Sequence, residues 1–282
     1  MITFIGTGLL GSNFVKAMLQ KKQEVNVWNR TPEKAKALEQ YGARAFGSIA
    51  EAVKGATRIH LTLPDDKIVD EILELAGPHL AAGAIIIDHS TTSTAGASQR
   101  TQQWKERGFI YLHAPVFMGP PNALDSTGFM LVSGDQEVIK KVEPALAAMT
   151  GKLLNLGSEN NRAAGVKLLG NSFLLFLTAG LSDTLALAQA MNIPTSELSA
   201  LFDQWNPGAM MPARLKRMLA ADYDNPSWEL QMARKDSRLM MEEAAHADKH
   251  LAAIPAIAAE MDRWIDKGQA NKDWTVIASD NI

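Results

Sequence analysis

The sequence contains no cysteine, which excludes disulfide scaffolds, thiolate metal sites and cysteine nucleophiles together. It also lacks any excess of positive charge: 28 lysines and arginines stand against 31 aspartates and glutamates, for a net charge of -3. Proteins that neutralise a phosphate backbone carry a strongly basic balance, so no nucleic-acid partner is expected. Nor is there an unbroken apolar run of the about 18 residues that a membrane span needs. The longest helical candidate is interrupted by Lys167, Asn171 and Asp183. The apolar start, Met1 to Leu10, lacks the basic segment of a signal peptide, since the first positive charge is Lys16. A soluble, cytoplasmic protein with no membrane partner is therefore expected. No Gly-x-Ser-x-Gly elbow and no P-loop occur. His246 and His250 have helical spacing, but Ala247 stands where a zinc hydrolase places glutamate, so no metal is expected.

What is present is a chain of 282 residues, 46% apolar and 21% charged, enough for one large or two modest domains with a real core. The first half alternates β-rich runs with helical spacing. Met1–Ile5, Val25–Trp28, Arg58–Leu63 and Ala84–Asp88 read as buried strands. Strands separated by ten to twenty helical residues argue for βαβ units and a parallel sheet covered on both faces. Further strand-like runs occur at Phe109–Leu112, Phe129–Ser133 and Lys152–Leu156. After Gly157 the texture changes. A mostly apolar pattern from about Asn160 to Met191 has no internal proline and reads as one long helix. The remainder, to the C-terminus, is rich in helix formers. The expected domains are residues 1–158, α/β, and 159–282, all-helical.

Gly6-Thr7-Gly8-Leu9-Leu10-Gly11 lies directly after the first strand and opens a helical pattern. In that order a GxGxxG signals dinucleotide binding: the first glycine makes the tight turn, the second lets the backbone approach a pyrophosphate, and the third lets helix pack on strand. An acidic residue at the end of the second strand would hold the ribose hydroxyls of NAD. Here the chain has Asn29-Arg30-Thr31-Pro32-Glu33-Lys34 instead. A guanidinium, a hydroxyl and an ammonium suit a 2′-phosphate, with Thr31 and Pro32 reading as the cap and first residue of another helix. NADP (NADPH) is the expected cofactor, against the reading that Arg30 and Lys34 merely decorate a solvated helix start.

In the helical half, Lys167 and Asn171 stand four residues apart and share a helix face. An ammonium and an amide on an otherwise apolar helix are costly to bury unless something uses them. A desolvated lysine can give a proton to a developing alkoxide and take it back in reverse. The alternative is a snorkelling lysine. Lys235, in Arg234-Lys235-Asp236, reads by itself as part of a solvated helix face.

Together these residues resemble the β-hydroxyacid dehydrogenase family, which includes 3-hydroxyisobutyrate dehydrogenase and glyoxylate or succinic semialdehyde reductases. The resemblance covers essentially the whole chain and implies an α/β Rossmann domain, a long interdomain helix, and an all-α C-terminal domain like that of 6-phosphogluconate dehydrogenase. It implies that Leu63-Pro64 and Asp88-His89-Ser90-Thr91 touch the nicotinamide half of the cofactor. Lys167 would be the acid/base, Asn171 a substrate contact, and Lys235 a residue reaching cofactor or substrate. Dimers or tetramers are implied as well. The family's Ser-Gly-Gly after Ala-Pro-Val holds the substrate carboxylate, whereas Ala114-Pro115-Val116 here runs into Phe117-Met118-Gly119-Pro120-Pro121. The prolines remove two amide donors and the bulky side chains favour an apolar substrate. Likewise Gly170 stands where relatives have the first of two asparagines. The expected activity is NADPH-dependent reduction of a small aldehyde or ketone, with Phe117, Met118 and Gly119 beside the substrate. Imine reduction is the near alternative, and a non-catalytic NADPH-binding module the more distant one.

Overall fold

Continuous apolar runs such as Ile2–Ile5 and Ile85–Asp88 are buried along their whole length, as strands covered on both faces must be. In the computed structural model, which describes residues 1–282, the first stretch of chain runs β1 (Ile2–Ile5), α1 (Leu9–Gln20), β2 (Val25–Trp28), α2 (Pro32–Lys36), β3 (Arg44–Ala45), α3 (Ile49–Val53), β4 (Arg58–Leu61), α4 (Asp66–Ala76), β5 (Ile85–Asp88), α5 (Thr94–Glu106) and β6 (Ile110–His113). These six strands form one sheet in the order β3-β2-β1-β4-β5-β6, with every pairing parallel. One apolar cluster includes Phe4, Phe14, Val27 and Ile87; another includes Ile5, Leu61, Ile86 and Trp104. Strand order reverses between β1 and β4, which opens a crevice at the carboxyl ends of those strands where ligands bind in such sheets.

The chain continues through β7 (Val116–Phe117), α6 (Pro120–Asp125), β8 (Phe129–Val132), α7 (Gln136–Ala147) and β9 (Lys152–Asn155). Phe129–Ser133 and Lys152–Leu156 do form strands, but in a separate sheet of order β7-β8-β9 in which β7 is antiparallel to β8. Neither β3 nor β7 is foreseen from the sequence: two residues are too few for any periodicity.

From Arg162 to Ala190 runs α8, 29 residues without a proline. It is followed by α9 (Thr195–Gln204), α10 (Met211–Leu219), α11 (Leu230–His246) and α12 (Ile254–Asp266). By contacts the chain separates into units Met1–Asn171 and Ser172–Ile282, so the division falls inside α8. The opening turns of α8 belong to the first unit because they pack there: Ala163 and Ala164 are fully buried, and the Ala163 N–H donates to Ser133 Oγ at 2.9 Å. Although its apolar run is interrupted, α8 is long and apolar enough as a whole to cross a membrane by length and composition. Exposed along it are Leu175, Phe176 and Leu181.

The second unit packs Leu230, Ala233, Met261, Trp264 and Val276 into a small core. Two buried carboxylates fix its loops. Asp183 accepts the N–H groups of Ala252, Ala253 and Ile254 at 2.6 to 2.9 Å, satisfying donors at the start of α12. Asp273 accepts from Ser227, Thr275 and Arg217.

Candidate active site

The turn between β1 and α1 shows what each glycine is for. Gly6 has φ +89, and a Cβ there would stand 2.2 Å from the Thr62 carbonyl oxygen. At Gly11 a Cβ would lie 2.0 Å from the Gly6 oxygen and 2.3 Å from Thr62 Oγ1, so helix and strand meet too closely for any side chain. Gly8 is different: nothing stands within 4 Å of the Cβ position, and the backbone faces open space. The outer glycines close the turn while the middle one leaves room for a diphosphate at the N-terminus of a twelve-residue helix. Beside it Thr7 Oγ1 is buried without a partner. An open backbone cradle with an unpartnered hydroxyl fits a dinucleotide. Thr62, whose hydroxyl donates to the Gly6 oxygen at 2.6 Å, locks the turn from β4; no motif in the sequence announces it.

Three cavities meet at Gly8. One of about 460 Å³ is lined by Asn29, Arg30, Thr31 and Lys34, together with Leu63 and Pro64. A second of about 340 Å³ includes Thr7, Leu9 and Lys34. A third of about 280 Å³ includes Leu10, Gly11, Leu63, Pro64 and Thr91. The residues read from the fingerprint and from the second strand end therefore line neighbouring cavities that share Gly8. Asn29 shapes it: its Oδ1 accepts the Thr7 N–H at 3.0 Å, and its Nδ2 donates to the Thr31 oxygen at 3.0 Å. A carboxylate at 29 could do the first but not the second. Thr31 does precede Pro32 at the start of α2, but its hydroxyl makes no capping bond and α2 ends after five residues. Asn29 holds that turn instead.

Behind the third cavity lies a buried polar network that the sequence did not reveal. Asp88, at the end of β5, accepts the Ser90 N–H at 2.8 Å and the Tyr111 hydroxyl at 2.7 Å. Ser90 Oγ accepts the Leu63 N–H at 2.9 Å, clipping the loop after β4 to the loop after β5. Arg100, fully buried on α5, donates to Tyr111 and to Asp66 and Asp70. Next to it His60 Nδ1 and His89 Nε2 stand 3.0 Å apart, and the other ring nitrogen of His89 is 2.8 Å from the Ala114 oxygen.

Burial keeps these imidazoles uncharged. His89 is pushed down from 6.5 to about 4 by desolvation, with the Ala114 carbonyl and Asp88 opposing in part. His60 and His113 are lowered by the same cause. An unfolded chain exposes the rings at their ordinary value. Between pH 6.5 and pH 4 it therefore binds protons that the folded state refuses, and stability falls as pH falls. From His89 alone the loss between pH 7 and pH 5 is about 2 kcal/mol. Urea unfolding at the two pH values should show this loss in the wild type and a smaller one in His89→Gln. An equal pH dependence in both would mean that His89 is not the group refusing the proton.

A second cluster forms where α8 begins. Lys167 is only 9% exposed; its Nζ donates to Asn171 Oδ1 at 2.9 Å and lies 4.4 Å from the centre of the Phe117 ring. Desolvation lowers its pKa from the ordinary lysine value. The same helix passes close to the start of α5, which follows the loop of the third cavity: a Cβ at Gly165 would stand 3.4 Å from the Thr94 methyl group. Of the neighbouring loop residues, Met118 packs against the first apolar cluster, and the Gly119 N–H donates to Asn122 Oδ1 at 2.9 Å. Lys235 lies in the second unit on α11, where it is 2.8 Å from the Asp236 carboxylate.

Comparison with known proteins fits this geometry. Residues 1–157 match the family model described as the NAD binding domain of 6-phosphogluconate dehydrogenase. Over 98% of its length the chain is 25% identical to the 3-sulfolactaldehyde reductase of Escherichia coli strain K12, covering 94% of that protein. It is 27% identical to the NAD-dependent L-serine dehydrogenase of Pseudomonas aeruginosa, again over 98% of this chain and 96% of the relative. In fold it is similar to the imine reductase from Myxococcus stipitatus in complex with NADP+, with a TM-score of 0.92, 20% identity and 99% coverage of each chain.

Proposed function

The chain belongs to the family of the NAD binding domain of 6-phosphogluconate dehydrogenase and is a nicotinamide-dependent oxidoreductase; within that class we propose that it uses NADPH to reduce a small aldehyde or ketone, with Lys167 as proton donor. The observation that carries the assignment of the acid is a lysine amine withdrawn from water and held by Asn171. Structural burial alone would select an apolar side chain there. When bound, the reduced nicotinamide supplies hydride. Gly8 and the start of α1 hold the diphosphate, while the Ser90 clip fixes the loops of Leu63 and Thr91 on the nicotinamide side. Lys167 gives its proton to the substrate oxygen as negative charge develops, and Asn171 keeps the amine in one rotamer while it does so. The lowered pKa of Lys167 eases that transfer.

A ketone or aldehyde suits this amine better than an iminium ion, because an ammonium beside a cationic substrate is repelled. That charge argument favours carbonyl over imine reduction, although the fold is shared with imine reductases. Retention of the Lys167–Asn171 pair argues against a module that only binds. The exposed Leu175, Phe176 and Leu181 on α8 support assembly as a homodimer or homotetramer, in which a second copy covers this apolar face.

Arg30, Thr31 and Lys34 support the choice of NADPH. A charge-assisted contact of this kind contributes about 1.5 to 3 kcal/mol, so Arg30→Asp should weaken NADPH about 10- to 100-fold and NADH far less. Titrating both cofactors against wild type and variant reads this directly. Equal effects on the two would remove the 2′-phosphate from the assignment.

A further inference from the structure

Phe117 and Gly170 fit each other as plug and socket. A Cβ at position 170 would stand 2.3 Å from Phe117 Cζ and 2.5 Å from Cε1, so the ring fills the space that any side chain at 170 would need. The main chain that carries the ring is held in place. Its backbone is paired with Phe129 across β7 and β8, and Gly128, at φ +80, brings its own backbone close to the Phe117 carbonyl. Seated there, the ring presents its face to Lys167 Nζ at 4.4 Å, within cation–π range. The ammonium thus has Asn171 Oδ1 on one side and an aromatic face on another.

The loop after β7 offers an anion little in addition. Gly119 spends its N–H on Asn122 Oδ1, and Pro120 and Pro121 have none to give. A carboxylate or sulfonate is held well by charge-assisted, often bidentate donors; here one donor of the nearest cation is taken by Asn171, a ring covers another side of it, and positions 119 to 121 offer no free amide. An apolar substituent meets the opposite conditions, since it can pack on the exposed part of the half-buried Phe117 without stripping water from a charge.

Resting on the reading that Lys167 faces the reacting carbonyl, we propose that Phe117, seated in the Gly170 notch over Lys167, sets specificity: its ring covers one side of the amine and selects uncharged aldehydes or ketones bearing an apolar group over anionic ones. Phe117 does not transfer the proton. It decides which carbonyl compounds reach the amine that does.

Two measurements test this. The first needs no turnover: calorimetric titration of the NADP+-loaded protein with butanoate and with butanamide. The wild type should bind butanamide about tenfold or more tightly. Phe117→Ser, which opens the seat and adds a hydroxyl, should gain butanoate affinity by a similar factor. Phe117→Leu keeps the bulk and should keep the wild-type order. The second compares kcat/KM with NADPH for 4-oxobutanoate and its methyl ester, where the wild type should favour the ester and Phe117→Ser should erode that preference. A wild type that binds butanoate as tightly as butanamide overturns the proposal, and that result needs no variant to fold. So does an unchanged order in Phe117→Ser. If the binding contrast holds while neither aldehyde oxidises NADPH, the seat stands and the carbonyl-reductase reading fails instead.

Discussion

Lys167→Met is expected to lower kcat by a factor of about 10² to 10⁴, the usual contribution of a positioned acid, while NADPH affinity stays at the wild-type value. The substitution keeps length and removes the charge and the donors. It leaves the Gly6–Gly11 turn and the Arg30 cluster untouched, because those lie between β1 and α1 and around the start of α2 rather than on α8. Asn171 loses its partner but can turn to water at the partly exposed helix face. Folding should not suffer, since an amine only 9% exposed and lowered in pKa is expensive to bury. Stopped-flow single turnovers separate the chemical step from product release, and a fluorescence titration reports cofactor binding. Wild-type single-turnover rates in the variant would show that the proton comes from elsewhere. A loss of NADPH affinity equal to the loss of rate would make Lys167 a cofactor-binding residue rather than the acid.

Gly11→Ala should be among the most damaging single methyl groups in the first unit. Its Cβ would stand 2.0 Å from the backbone oxygen of Gly6 and 2.3 Å from Thr62 Oγ1. The first of these is backbone, so no rotamer change relieves it; α1 must lift away from the turn. Overpacking commonly costs about 1 to 3 kcal/mol, and the backbone clash places this variant at or above the upper end. Lifting α1 also moves the N–H groups that face the diphosphate, so NADPH affinity should fall about 100-fold or more, as loss of about 3 kcal/mol of binding implies. Gly8→Ala is the control. With nothing within 4 Å of its Cβ in the free protein, it should fold with wild-type stability and lose cofactor affinity alone. Thermal unfolding and cofactor titration on both variants distinguish the two roles. A Gly11→Ala protein with unchanged melting temperature and affinity would mean that the helix does not approach the turn this closely.

The residues that proved easiest to read are those whose neighbours in space are also neighbours in sequence. Strand, glycine turn and helix succeed one another within Ile2–Gln20, so the cradle at Gly8 could be seen without a structure. The same holds for Asn29 to Lys34, which run from the end of β2 into α2, and for Lys167 and Asn171, which share one face of one helix. Periodicity failed at β3 and β7, where two residues leave nothing to repeat, and it gave no hint that β8 and β9 leave the main sheet. No pattern along the chain marks the contacts of His60, His113 or Arg100, because their partners come from different strands and helices. Thr62 escaped notice for the same reason.

Composition and local order thus determined by themselves a nucleotide-binding α/β half, a helical half and a paired lysine and amide, since hydrophobic period and turn chemistry act over a few residues. Only the tertiary structure decided that Phe117 lies over Lys167 and in the notch of Gly170, that Ser90 clips the loop of Leu63, and that three histidines are kept uncharged. Those facts depend on which surfaces the packed sheet and helices press together. Close packing fixes such contacts to a fraction of a side chain's width, a scale that spacing along the chain does not encode.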